Sequence, residues 1–124
     1  MLNSFQHPCR AVVHTVYVAR ERNPCTYILA SQKGGTLYVG VTSDLASRLW
    51  RHSTGTTPGF ASRYGAIRLV HAEFFDRMDD AIAREKQLKR WHRAWKINLI
   101  EAANPDWRNL GIEWGLVERK RKGA

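Results

Sequence analysis

The chain has 124 residues, enough for one compact domain and little else. Its 44% hydrophobic content and five tryptophans can supply a core, which excludes a wholly disordered chain. A formal net charge of +9, from 20 Lys and Arg against 11 Asp and Glu, favours a polyanionic partner, because each cation near a phosphate releases counterions.

That balance suits a passive, ribosomal-type binder as well as an enzyme, so charge narrows the partner and names no reaction. The chain opens on residues 1–23, where an apolar run from Ala11 to Ala19 is interrupted by His14. The run is short for a signal peptide, and no stretch is long and apolar enough to span a membrane. Residues 1–23 therefore read as an extension, disordered or added as an edge strand. The two cysteines, Cys9 and Cys25, form no CxxC pair and lie near no histidine cluster of zinc spacing. One disulfide is possible on counting, but a reducing, cytoplasmic setting is the better expectation.

Strand formers then dominate Thr26–Ala30, a turn follows at Ser31-Gln32-Lys33-Gly34-Gly35, and Thr36–Val41 is a second strand. The two predict a hairpin. Alternation places Leu37, Val39 and Val41 on a core face, and Tyr38 with Gly40 on the other. A phenol beside a residue with no side chain leaves room for something to approach the backbone. Thr42-Ser43-Asp44 offers a helix cap and a carboxylate for the positive end of the helix. The helix it opens runs to about His52, with Leu45, Arg48, Leu49 and His52 on one face and Arg51 elsewhere.

Residues 53–66 read as a loop containing Arg63, and Ile67–Phe75 as a third strand. Asp79 or Asp80 opens one long helix to about Ala102, which Asn104-Pro105 stops. In it Ala81, Leu88, Trp95 and Leu99 form an apolar stripe, with Lys86, Lys89, Arg93 and Lys96 on the adjoining face. Glu85 sits at the seam, either as an i,i+4 partner of Lys89 or as a ligand turned toward a site. Trp107 and Trp114 belong to a segment folded back on the domain, and residues 116–124 are a basic, solvated tail. The sum is a small α/β domain: a three-stranded sheet, mixed or antiparallel, flanked by helices.

Taken singly, these residues have bland readings: cross-strand packing for the tyrosines, ordinary ion pairs for the rest. Their order changes the reading. Cys25-Thr26-Tyr27, Tyr38-Val39-Gly40, Asp44-Leu45, Arg48 ten residues beyond Tyr38, His52 one turn on, Glu85 in Glu-Lys-Gln-Leu-Lys, and Asn104-Pro105 follow in sequence. Over roughly residues 24–110 this set resembles the GIY-YIG nuclease domain. It is most similar to small stand-alone bacterial members, themselves like the nuclease domain of an excinuclease without its other domains. Cys-Thr-Tyr departs from the family's Gly-Ile-Tyr but keeps the tyrosine. Val41 stands where some relatives place a lysine, for which Lys33 is a weak substitute.

The resemblance implies a divalent-metal-dependent endonuclease acting on DNA, with its nuclease unit spanning residues 24–115. Glu85 would bind one Mg²⁺ or Mn²⁺ with water and phosphate oxygens. Arg48 would hold the scissile phosphate. Tyr27 would serve as general base, Tyr38 would support it, and His52 would share the proton handling. Gly40, Lys33, Arg63, Lys89 and Asn104 are the expected substrate-binding residues. An unperturbed phenol has a pKa of about 10, so Arg48 and the metal would have to favour phenolate. The main rival is a non-catalytic nucleic-acid-binding module of the same fold, and a third reading is a protein-interaction module using the aromatic C-terminal segment. DNA or RNA, the substrate form, and monomer or weak dimer are left open.

Overall fold

Cys25–Ala30 forms strand β1, a run whose six side chains are all buried. So complete a burial requires packed layers on both faces and a strand on each edge. Both are present in the computed structural model, which describes residues 22–54 and 68–117. β2, Leu37–Thr42, pairs antiparallel with β1 on one side, and β3, Arg68–Phe74, pairs antiparallel on the other. The sheet order is β2-β1-β3, so the sheet is antiparallel throughout. The expected extension (apart from Arg22 and Asn23), most of the 53–66 loop with Arg63, and the Arg119–Lys122 run lie outside the described residues.

The hairpin follows the predicted alternation. Tyr27 pairs with Gly40 and Leu29 with Tyr38, while Ile28 pairs with Val39. The first face is covered by α1, Leu45–Thr54, whose Leu45 and Leu49 join Cys25, Tyr27, Leu29 and Leu69. Trp114, Leu116 and Val117 of the returning C-terminal segment close the same layer. The turn is held by Ser31 N–H donating to Thr36 O at 3.0 Å, with Gly34 at φ +73°. Such a left-handed position costs glycine nothing. Asp44 caps α1 as expected: its Oδ1 accepts from Ser47 N at 3.2 Å.

The second face is covered by α2, Met78–Arg90, and α3, Arg93–Ala103. Leu88, Ile100 and Trp107 bury there against Ile28, Val39 and Val70. The pattern of residues predicts one long helix here, and the chain instead breaks at Trp91 and His92, both extended with ψ near 150° (147° and 151°). No proline or glycine marks the break. It lets Trp91 turn back onto this core layer, with the Arg84 guanidinium 5.1 Å from its ring. Tertiary packing has overridden a helix-compatible sequence. The predicted stripe is corrected with it: Ala81 and Leu88 are buried, but Trp95 is exposed. The adjoining basic face is divided likewise, because Arg93 now starts a separate helix. α4, Leu110–Glu113, is a single turn capped by Asn109, whose Oδ1 accepts from Gly111 N at 3.0 Å.

Candidate active site

β1 brings Tyr27 to the middle of the first face, and the register sets it opposite Gly40. A Cβ at Gly40 would lie 2.5 Å from both Cζ and Oη of Tyr27. The room beside Tyr38 that the sequence suggested is thus filled by the Tyr27 ring, and no substrate can use it. Tyr38, two pairs along the hairpin and so on the same face, sets its ring 6.3 Å from that of Tyr27 at 41°. It is only partly buried, whereas Tyr27 is wholly enclosed.

Arg48 reaches this pair from α1, on the same turn as the docking Leu45 and Leu49. Its guanidinium hydrogen-bonds the Tyr27 phenol. Two effects then oppose each other at that oxygen. Burial disfavours the phenolate, and the charge and hydrogen bond of Arg48 favour it. Burial wins, and Tyr27 holds its proton well above the ordinary tyrosine range. The expectation joined Arg48 to a metal in favouring phenolate, and Arg48 by itself does not outweigh burial. His52 lies one turn further along α1, but its side chain is outside the described residues.

Glu85 occupies a different layer. Its helix lies over β1 and β2 on the second face, where Thr26 Oγ1 donates to Ala81 O at 2.6 Å. One turn on, between buried Ala81 and Leu88, the Glu85 side chain is 15% exposed and its Oε2 lies 2.8 Å from Lys89 Nζ. Tyr27, Tyr38 and Arg48 are therefore assembled, while Glu85 stands on the opposite side of the sheet with Lys89 as partner. Among the described residues no group of three or more His, Cys, Asp or Glu could hold a metal. A lone hard carboxylate of this kind fits Mg²⁺ that keeps most of its waters, and does not fit an all-protein cage.

The remaining expected contacts fare unequally. Lys33 is exposed in the hairpin turn, whose Gly34 and Gly35 carbonyls accept from Arg93 Nη2 at 2.7 and 2.6 Å. Asn104 is 2% exposed, donating to Val70 O and Arg108 O and accepting from Arg108 N. Its amide is spent on internal hydrogen bonds, so it faces the core and not a substrate. Cys25 is a free, buried thiol.

Sequence reasoning missed Thr26, the tie that fixes α2 over the sheet. It also missed a cluster in which Glu73 accepts from Arg84 Nε at 2.8 Å and lies 2.8 Å from His71 Nε2. The available signal was alternation: His71 and Glu73 are polar at the positions of β3 that pair with Ile28 and Thr26.

Residues 23–98 match the profile of the GIY-YIG catalytic domain. The chain belongs to the GIY-YIG family. A UPF0213 protein of Clostridium perfringens is 34% identical to this GIY-YIG chain over 90 residues, covering 73% of it and 96% of the relative. A UPF0213 protein of Syntrophus aciditrophicus is 35% identical over 79 residues, 57% of this chain and 82% of that one. The UPF0213 protein of Bacillus halodurans, known from a solution NMR structure, is 28% identical with a TM-score of 0.46. It covers 73% of the GIY-YIG chain and 95% of its own. No helix among the described residues is long and apolar enough to cross a membrane.

Proposed function

We propose that this domain is an endonuclease that hydrolyses phosphodiester bonds in DNA with one divalent metal ion, Mg²⁺ or Mn²⁺. The observation that carries the reading is the Arg48–Tyr27 hydrogen bond on the face shared with Tyr38, in a chain that matches a catalytic-domain family. The nuclease unit is assigned to residues 24–115, with 1–23 as an extension and 116–124 as a basic tail whose first two residues, Leu116 and Val117, pack on the core.

Arg48 holds the scissile phosphate. Its guanidinium has donors beyond the one on Tyr27, in a planar fork that suits phosphate oxygens, and it offsets charge that develops in the transition state. Glu85 would hold the metal, which would supply positive charge to the phosphate. Lys89 must release the carboxylate for that, and its ammonium is then free for a neighbouring phosphate. Because β2 is an edge strand among the described residues, DNA reaches Arg48 on one face and Glu85 on the other by wrapping that edge.

Tyr27 acts as general base only after losing its proton, which burial opposes in the free domain. Tyr38, the less buried of the two phenols, positions the attacking water beside it. His52 follows one helical turn after Arg48 and shares the proton handling. Lys33 and Arg63 contribute backbone contacts.

A second reading, a nucleic-acid-binding module without catalysis, is favoured by the Glu85–Lys89 pair and by the enclosed Tyr27. One assay separates the two. Plasmid, single-stranded and branched DNA are incubated with wild type and Glu85→Ala, with Mg²⁺, Mn²⁺ or chelator. Metal-dependent cutting that Glu85→Ala abolishes is expected. Binding without cutting under either metal overturns the nuclease reading, and equal cutting by the variant overturns the role of Glu85.

A further inference from the structure

The break between α2 and α3 carries an aromatic group that the proposed chemistry does not use. Trp95 packs edge-to-face against two neighbours, with its ring centroid 5.8 Å from Trp91 at 84° and 5.5 Å from His92 at 88°. Trp91 is itself fixed from behind by the core layer and by Arg84. Trp95 is nonetheless 53% exposed, and with Trp91, Asn98 and Leu99 it lines an open hollow of about 330 Å³. A braced ring that leaves half its surface in water has little freedom left to lose on binding, so it is prepared for a flat ligand.

The charge around it says which ligand. From residue 86 to residue 100 the chain carries Lys86, Lys89, Arg90, Arg93 and Lys96 and no Asp or Glu. Arg93 also ties the turn bearing Lys33 to the start of α3. A second copy of this chain docking here would bring like cations face to face, which is unfavourable. A DNA duplex offers phosphates but hides the faces of its bases. An unpaired strand offers both charge and a π-face.

We propose that Trp95, braced by Trp91 and His92, stacks an unpaired base of single-stranded DNA, with Lys86, Arg90 and Lys96 drawing the adjoining phosphates. Glu85 precedes Trp91, the residue that ends its helix, by six positions, about 9 Å along the axis. The inference deepens the nuclease reading and rests on it for one consequence: cutting falls beside an unpaired segment, as in branched DNA or at a single-strand junction.

The binding itself needs no cutting and is tested in chelator. Fluorescence anisotropy compares a labelled oligothymidylate, the same length of RNA and a blunt duplex on wild type, Trp95→Ala and Trp95→Phe, each checked by circular dichroism. Trp95→Ala is expected to lose roughly 5- to 150-fold in affinity for the single DNA strand, with duplex binding little changed and Trp95→Phe retaining most of it. The proposal is overturned if Trp95→Ala binds the strand like wild type, if strand and duplex weaken equally, or if only RNA is bound. Sedimentation showing that Trp95→Ala merely dissociates a dimer overturns it too. A wild type that never cuts, yet loses strand binding in Trp95→Ala, sinks the nuclease reading and leaves this one standing.

Discussion

The phenol ring of Tyr27 rests on the bare Cα of Gly40, its partner across the β1–β2 hairpin. Glycine is needed there because the strand must come within reach of a ring that α1 and the C-terminal segment press down from above. The contact holds Tyr27 beneath Arg48, so the candidate site depends on an absent side chain. Gly40→Ala should displace the ring and cost about 1–3 kcal/mol, the usual penalty for overpacking. Urea unfolding gives the test: an unchanged midpoint would show that the seat is not needed.

The protonation of Tyr27 has a kinetic signature. Since its proton is held above the ordinary tyrosine range, the phenolate fraction is small near neutrality and rises about tenfold per pH unit. If phenolate is the base, log kcat/KM, which reports the free enzyme, should climb with a slope near one from about pH 7 to 9. Tyr27→Phe should abolish the climb. A flat profile in the wild type rules out Tyr27 phenolate as the base.

Glu73 makes the fold acid-sensitive. Burial alone would raise its pKa, but hydrogen bonds from His71 and Arg84, together with their charges, outweigh burial and lower it from 4.5 to about 2. A carboxyl whose pKa is lower in the folded state stabilises the fold above its unfolded pKa, and that stability is lost as pH falls through the folded one. The loss should therefore occur between about pH 5 and pH 2 and amount to about 3 kcal/mol at most. Glu73→Gln should flatten this part of the stability curve. A variant whose acid unfolding tracks that of wild type would place the sensitivity elsewhere.

Asn104 should behave as a structural residue. Asn104→Ala leaves Val70 O and the backbone of Arg108 without their side-chain partner. Three lost hydrogen bonds of about 1 kcal/mol each predict a loss of about 3 kcal/mol and a lower Tm. DNA affinity measured well below the new Tm should match wild type. A selective loss of affinity without loss of stability would return Asn104 to the substrate surface.

Much of the molecule was legible from local pattern. Two-residue alternation set the hairpin and put Tyr27's partner face in register, and three-to-four spacing put Arg48 on the face of α1 that docks. The family motif, too, lies in the order of residues along the chain. These features are local because strand and helix geometry alone dictates which side chains share a face.

Competition among distant segments decided the rest. Trp91 gains more from the core layer and Arg84 than the helix gains from continuing, so the helix breaks where no proline or glycine stands. Asn104, read as a ligand from its motif, turns inward because Val70 and Arg108 offer its amide a full set of partners. The charge state of Tyr27 weighs Arg48 against burial, and burial exists only once α1 and the C-terminal segment have closed over the ring. The placing of Glu85 across the sheet follows from the docking of α2 through Thr26 and Leu88. The order of motifs along the chain grouped Glu85 with Tyr27 and Arg48 as an expectation, but only tertiary packing could set its helix on the other face of the sheet.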